Sequence, residues 1–117
     1  HPIFKRDEFD VYCEVPITFT QAALGAEIQV PTLDGKVTYT IPEGTQTGKE
    51  FVIRDKGIPE VNNPRRRGAH RFTVVVETPT KLTREQKELL QKLDETLDGG
   101  SSPKRNKFFD TIKNFFD

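Results

Sequence analysis

The sequence predicts a mainly β fold: a small antiparallel β-sandwich with one short helix, followed by amphipathic C-terminal helices. Three observations predict it. Apolar residues alternate with polar ones in several short runs before residue 78, the period of half-buried strands. Turn residues (Asp-Gly, Pro, Asn) punctuate these runs at short intervals. After residue 82 the period changes to that of a helix, with leucines and then phenylalanines recurring every three or four positions.

The first strand covers residues 9–17, where Phe9, Val11, Cys13, Val15 and Ile17 share one face. Pro16 cannot donate to a ladder, so the strand should lie at a sheet edge or end there. Thr20 to Leu24 read as one helical turn, stopped by Gly25. Residues 27–31 and 36–41 form a hairpin, with Ile28 and Val30 on one arm and Val37, Tyr39 and Ile41 on the other. Between them Asp34-Gly35 supplies a pair that tolerates positive φ in a tight turn. A strand at 50–54 places Phe51 with Ile53, and one at 70–77 places Phe72, Val74 and Val76 on a common face. The intervening 55–69 reads as loop.

The remainder is helical. Thr83 and Gln86 form a capping box, in which each side chain satisfies a backbone amide of the other residue. Leu89, Leu90, Leu93 and Leu97 follow on one stripe, and Gly99-Gly100 end the helix. A last segment, capped at Asn106, carries Phe108, Phe109, Ile112, Phe115 and Phe116 at helical spacing. The expected organisation is a β-sandwich over 1–81, a helix over 82–98, a linker over 99–105 and a tail helix over 106–117.

Composition narrows the function. Only 33% of the residues are hydrophobic, so the core is thin and a partner would help to stabilise it. The 18 basic and 18 acidic residues cancel, which removes any global field for nucleic acid or an anionic membrane. No apolar run is long enough to span a bilayer. His1-Pro2-Ile3-Phe4 is not a signal peptide, and the missing initiator Met suggests a piece of a longer protein.

The catalytic inventory is nearly empty, and the chain is expected to be no enzyme. Cys13 is the only cysteine, which rules out an internal disulfide and fits a reducing compartment. His1 and His70 stand in no metal-ligand or triad spacing, and the only serines, Ser101 and Ser102, lie in the linker. Gly44-Thr-Gln-Thr-Gly48-Lys49 has one residue too few for a phosphate loop, and Glu50 stands where Ser or Thr would bind magnesium.

Two features remain. Arg54, Lys56, Arg65, Arg66, Arg67 and Arg71, against only Asp55 and Glu60, could grip phosphates or an acidic protein. The phenylalanine-rich tail is the stronger signal, because a lone helix of that size is marginal in water and its rings must dock on something. A second copy of the chain is the favoured partner. A membrane is not, since the tail's polar face has few basic residues.

Taken together, Val15-Pro-Ile17, Gln21-Ala-Ala-Leu-Gly25, Val30-Pro-Thr-Leu-Asp-Gly35, Ile41-Pro-Glu-Gly-Thr-Gln-Thr-Gly48, Lys56-Gly-Ile58, Glu77-Thr-Pro79 and the Phe108-Phe109 to Phe115-Phe116 tail resemble the second C-terminal domain of DnaJ-type co-chaperones. The resemblance spans nearly the whole chain. It implies a cytoplasmic homodimer closed by the C-terminal helices through Leu89, Leu90, Leu93, Leu97, Phe108, Phe109, Ile112, Phe115 and Phe116. It implies holding of unfolded polypeptide and delivery to the chaperone ATPase DnaK through the full-length protein. It points to the 27–31 strand, near Ile28 and Val30, as the edge that a client joins. No cofactor is expected in this chain, because the family's zinc-binding Cys-x-x-Cys repeats are absent and belong to an upstream region. His1-Pro2-Ile3 is not the His-Pro-Asp of a J domain, and Gly68-Ala69 replaces the family's usual Gly-Asp. The rival function is a basic-loop adaptor for nucleic acid or an acidic protein, built on Arg65, Arg66 and Arg67.

Overall fold

The computed structural model describes residues 3–63, 66–98 and 100–116. They form two compact units, His1–Pro79 and Thr80–Asp117. The first is the β-sandwich, with elements in the order β1 (Lys5–Asp7), β2 (Asp10–Thr18), α1 (Phe19–Leu24), β3 (Ala26–Thr32), β4 (Gly35–Ile41), β5 (Glu50–Ile53) and β6 (His70–Glu77). The second carries α2 (Arg84–Thr96) and α3 (Pro103–Phe116).

One sheet has the order β1-β2-β6-β5 and the other is the β3-β4 hairpin. Alternation decides what each buries. Val11, Cys13, Val15 and Ile17 point inward from β2, and His70, Phe72 and Val74 from β6. Ile28, Val30 and Ile41 close the core from the second sheet. At its centre the Tyr39, Phe51 and Phe72 rings meet with centroids 5.1–5.3 Å apart. Such aromatic contacts add to the gain from burial alone.

Two details depart from the sequence reading. The β2–β6 pair runs parallel, not antiparallel, with Cys13 opposite Phe72 and Val15 opposite Val74. Parallel strands need a long crossover, and here α1, the hairpin and β5 all lie between them. β1, which precedes the first strand expected from the sequence, pairs antiparallel with the start of β2.

Pro16 fits because of the parallel register. The Val11 amide donates to Ala69 O at 3.0 Å, so odd-numbered amides of β2 face β6 and even-numbered ones face away. The described pairing with β1 reaches only Tyr12 on that side, so the missing donor of Pro16 breaks no described ladder bond.

Capping boxes start α1 and α2. Thr83 and Gln86 begin α2 as the sequence indicates, with the Thr83 amide donating to Gln86 Oε1 at 2.8 Å. Thr18 and Gln21 do the same for α1, so that helix begins one residue before the expected Thr20. α3 begins at Pro103 and not after Asn106, so the end of the expected linker is helical; proline suits a first turn because its missing amide has no partner there anyway.

The 57–68 segment is a short arm, not free loop. Its two sides pair at Pro59 and Arg67, and the Ile58 amide donates to Phe9 O at 2.8 Å.

Candidate functional site

Among the described residues no set of catalytic groups converges. Cys13 Sγ lies 3.3 Å from His70 Nε2, the closest approach to a nucleophile–base pair among the described residues. Both are buried, and burial pushes the thiol up and the imidazole down from their ordinary values. Both groups are therefore neutral near pH 7, and a neutral thiol is a poor nucleophile. His70 Nδ1 has no hydrogen-bond partner among the described residues, and the Phe4 ring packs edge-on against the imidazole. This is core packing with a polar seam. Among the described residues no group of three His, Cys, Asp or Glu could hold a metal.

The basic segment spends its charge within the domain. Arg67 pairs with Asp34 at 2.6 Å and Lys56 approaches the same carboxylate at 3.7 Å. Arg66 faces Glu60 at 3.5 Å, and Arg71 bridges Asp10 and Glu50 at 3.1 and 3.0 Å. The Ala69 amide, and then Arg71, hold the Asp10 carboxyl below the usual carboxylate range. Ala69 engages through its backbone, so this contact does not need an aspartate at that position. Arg65 and His1 lie outside the described residues. Four of the six basic residues thus already face carboxylates of the domain, which lessens what they offer to phosphates.

The apolar stripes of the second unit are different. Leu89, Leu93 and Leu97 are 58, 41 and 45% exposed, and Leu90 is half-buried. In α3, Phe108, Phe109, Ile112, Phe115 and Phe116 are exposed, the last pair to 81 and 79%. Neighbouring rings touch edge to face at 5.3 and 5.2 Å, and Arg105 sits over the Phe109 ring. No residue of either helix is buried. An apolar surface of this kind commonly marks an interaction site.

The residues singled out on β3 have another role. Ile28 and Val30 are 6 and 0% exposed, so their side chains belong to the core and cannot touch a partner. What the hairpin offers outward is backbone, since each of its strands is paired on one side only.

Two contacts carry the local geometry without a sequence signal strong enough to find them. The Arg67–Asp34 pair joins positions 33 apart, and the Cys13–His70 pair positions 57 apart. Alternation places Cys13 and His70 on inward faces, but only the parallel register makes them neighbours.

Residues 1–79 match the family model of the DnaJ C terminal domain, and residues 85–117 match that of the Chaperone protein DnaJ C-terminal region.

Proposed function

Because the chain belongs to the DnaJ C-terminal domain family, a chaperone family, we propose that it dimerises through its C-terminal helices and holds unfolded polypeptide for delivery to DnaK by the full-length protein. The observation that carries this reading is the apolar stripe on α2 and α3, which leaves four phenylalanine rings and three leucines exposed. Burying such a side chain gains roughly 1.5–3 kcal/mol. Several of them together offset a substantial part of the cost of association. Leu89, Leu90, Leu93 and Leu97 would form one part of the interface, and Phe108, Phe109, Ile112, Phe115 and Phe116 the clasp.

Dimerisation serves client holding directly. Two weak sites joined in one particle gain avidity without any new contact. The client would add as a strand to an open edge of the β3–β4 sheet, where backbone pairing ignores client sequence. This chain is assigned no cofactor and no catalytic step, and its place of work is the cytoplasm. No described helix is long and apolar enough to cross a membrane.

Light scattering on the full chain and on a version ending at Ser102 tests the reading. A dimer that dissociates on truncation is the expected result. Monomers in both cases at micromolar concentration would remove the clasp from the mechanism.

A further inference from the structure

The sequence contains two Asp-Gly pairs, Asp34-Gly35 and Asp98-Gly99. Such a pair is chemically fragile. The glycine nitrogen attacks the aspartate Cγ and a C–N bond forms, while the amide proton and the carboxyl hydroxyl leave as water. Water then opens the cyclic imide at either carbonyl, giving back aspartate or giving isoaspartate. Glycine permits this because no side chain shields its nitrogen. The attack needs a neutral carboxyl, since a carboxylate has no hydroxyl to lose. It also needs Cγ free to swing over the glycine nitrogen.

Nothing within the turn prevents the reaction at Asp34-Gly35. The Asp34 side chain is 40% exposed, and beyond the chain neighbours no described atom lies within 4 Å of where a Gly35 Cβ would stand. The restraint comes from other parts of the chain. Arg67 donates to both carboxylate oxygens, at 2.6 and 3.4 Å, and Lys56 Nζ stands 3.7 Å from Oδ2. The guanidinium is itself aimed by Gly57 O, to which Nε and Nη2 donate at 2.9 and 2.7 Å. Hydrogen bonding to Arg67 also favours the ionised carboxyl, which cannot react. Thr32 steadies the backbone, since its Oγ1 accepts from the Asp34 amide at 3.1 Å and donates to Gly35 O at 2.7 Å.

Asp98 has no such clamp. Its Oδ1 accepts from the Gly100 and Ser101 amides at 2.9 and 3.3 Å, and no described basic side chain pairs with it.

We propose that Asp34-Gly35 is a latent site of backbone isomerisation, kept silent by the grip of Arg67, from the 57–68 arm, on the Asp34 carboxylate. Isoaspartate there routes the chain through Cβ and Cγ and adds a methylene to the turn. Turn length fixes the Thr32–Gly35 register of the hairpin, so the product disturbs β3 and β4 together. The inference stands independently of client holding.

The test incubates the full chain in its folded state at mildly acidic pH. Peptide mapping with endoproteinase Asp-N, which cuts before aspartate and not before isoaspartate, then follows both positions. In the wild type isoaspartate should accumulate at position 98 and lag well behind at 34. Arg67→Ala should raise the rate at 34 about tenfold, as loss of a charge-assisted hydrogen bond from the ground state would, and leave 98 unchanged. Arg67→Lys, a milder change, should raise it in the same direction. Val15→Ala, which loosens the core without touching the turn, should leave position 34 as in the wild type. Equal rates at 34 and 98 in the wild type overturn the proposal, as does no acceleration in either Arg67 variant. Acceleration by Val15→Ala equal to that by Arg67→Ala assigns the protection to the fold as a whole and overturns it too.

Discussion

Arg67 Nη1 donates to Asp34 Oδ2 at 2.6 Å, while Nε and Nη2 of the same guanidinium donate to Gly57 O at 2.9 and 2.7 Å. One side chain thereby ties the tip of the β3–β4 hairpin to the base of the 57–68 arm. A lysine cannot reproduce this, because its single ammonium lacks the planar fork. Arg67→Ala should lower the unfolding free energy by about 1–3 kcal/mol, the range for charge-assisted hydrogen bonds. Arg67→Lys should recover only part of the loss. Urea unfolding curves measure both.

The same pair gives a pH dependence. Hydrogen bonding to Arg67 holds the Asp34 carboxyl below its ordinary value. Its stabilisation is therefore present above the unfolded carboxyl value and is lost as pH falls through the lower folded one. Asp34→Asn should flatten the acid limb of the stability curve below about pH 4, and added salt should weaken the effect of the wild-type pair.

His70 acts in a different window with a different cause. Burial lowers its folded value below 6.5, so between the two values the unfolded chain binds more protons than the folded one. Stability should fall as pH drops below 6.5. His70→Phe should remove that slope between pH 6.5 and 5, read as urea midpoints across the range. A slope that survives the substitution would place its origin elsewhere.

Gly57 and Gly68 have no room for a side chain. A Cβ at either position would collide with the Phe9 carbonyl oxygen, the acceptor that anchors the arm through the Ile58 amide. Gly68→Ala should cost about 1–3 kcal/mol, as overpacking does. Amide exchange should show the arm opening first.

The proposed clasp should separate association from folding. Phe115→Ala with Phe116→Ala removes the two most exposed rings of α3. Sedimentation should show the dimer dissociation constant rising by roughly ten- to a hundredfold per ring, from the burial each would lose. The near-ultraviolet signal of the sandwich, to which the Tyr39, Phe51 and Phe72 ring cluster contributes, should be unchanged.

Local rules were enough for much of this molecule. Alternation in 9–17 and 70–77 named the inward faces of β2 and β6, because a strand's period does not depend on its partner. The Thr83–Gln86 capping box set the start of α2, since its bonds close within four residues. The Thr18–Gln21 box was as legible by the same rule, but the chain there was read from Thr20. The exposed tail was also legible, because four phenylalanines in a short polar segment cannot all be covered by their own helix.

What lay beyond the sequence was the choice of partner. Nothing in either strand says that β2 and β6 run parallel, yet that register alone brings Cys13 against His70. The arginines of the basic segment read as free charge until the fold brings Asp34, Asp10 and Glu50 to them. Ile28 and Val30 have the same alternation as a binding edge would show, and only packing makes them core. The sequence by itself determined most element types, the facing of the long strands and the start of α2, which follow from bonds and periods a few residues long. Tertiary structure decided register, charge pairing and which edge stays open, because those depend on groups that the chain brings together only after it has folded.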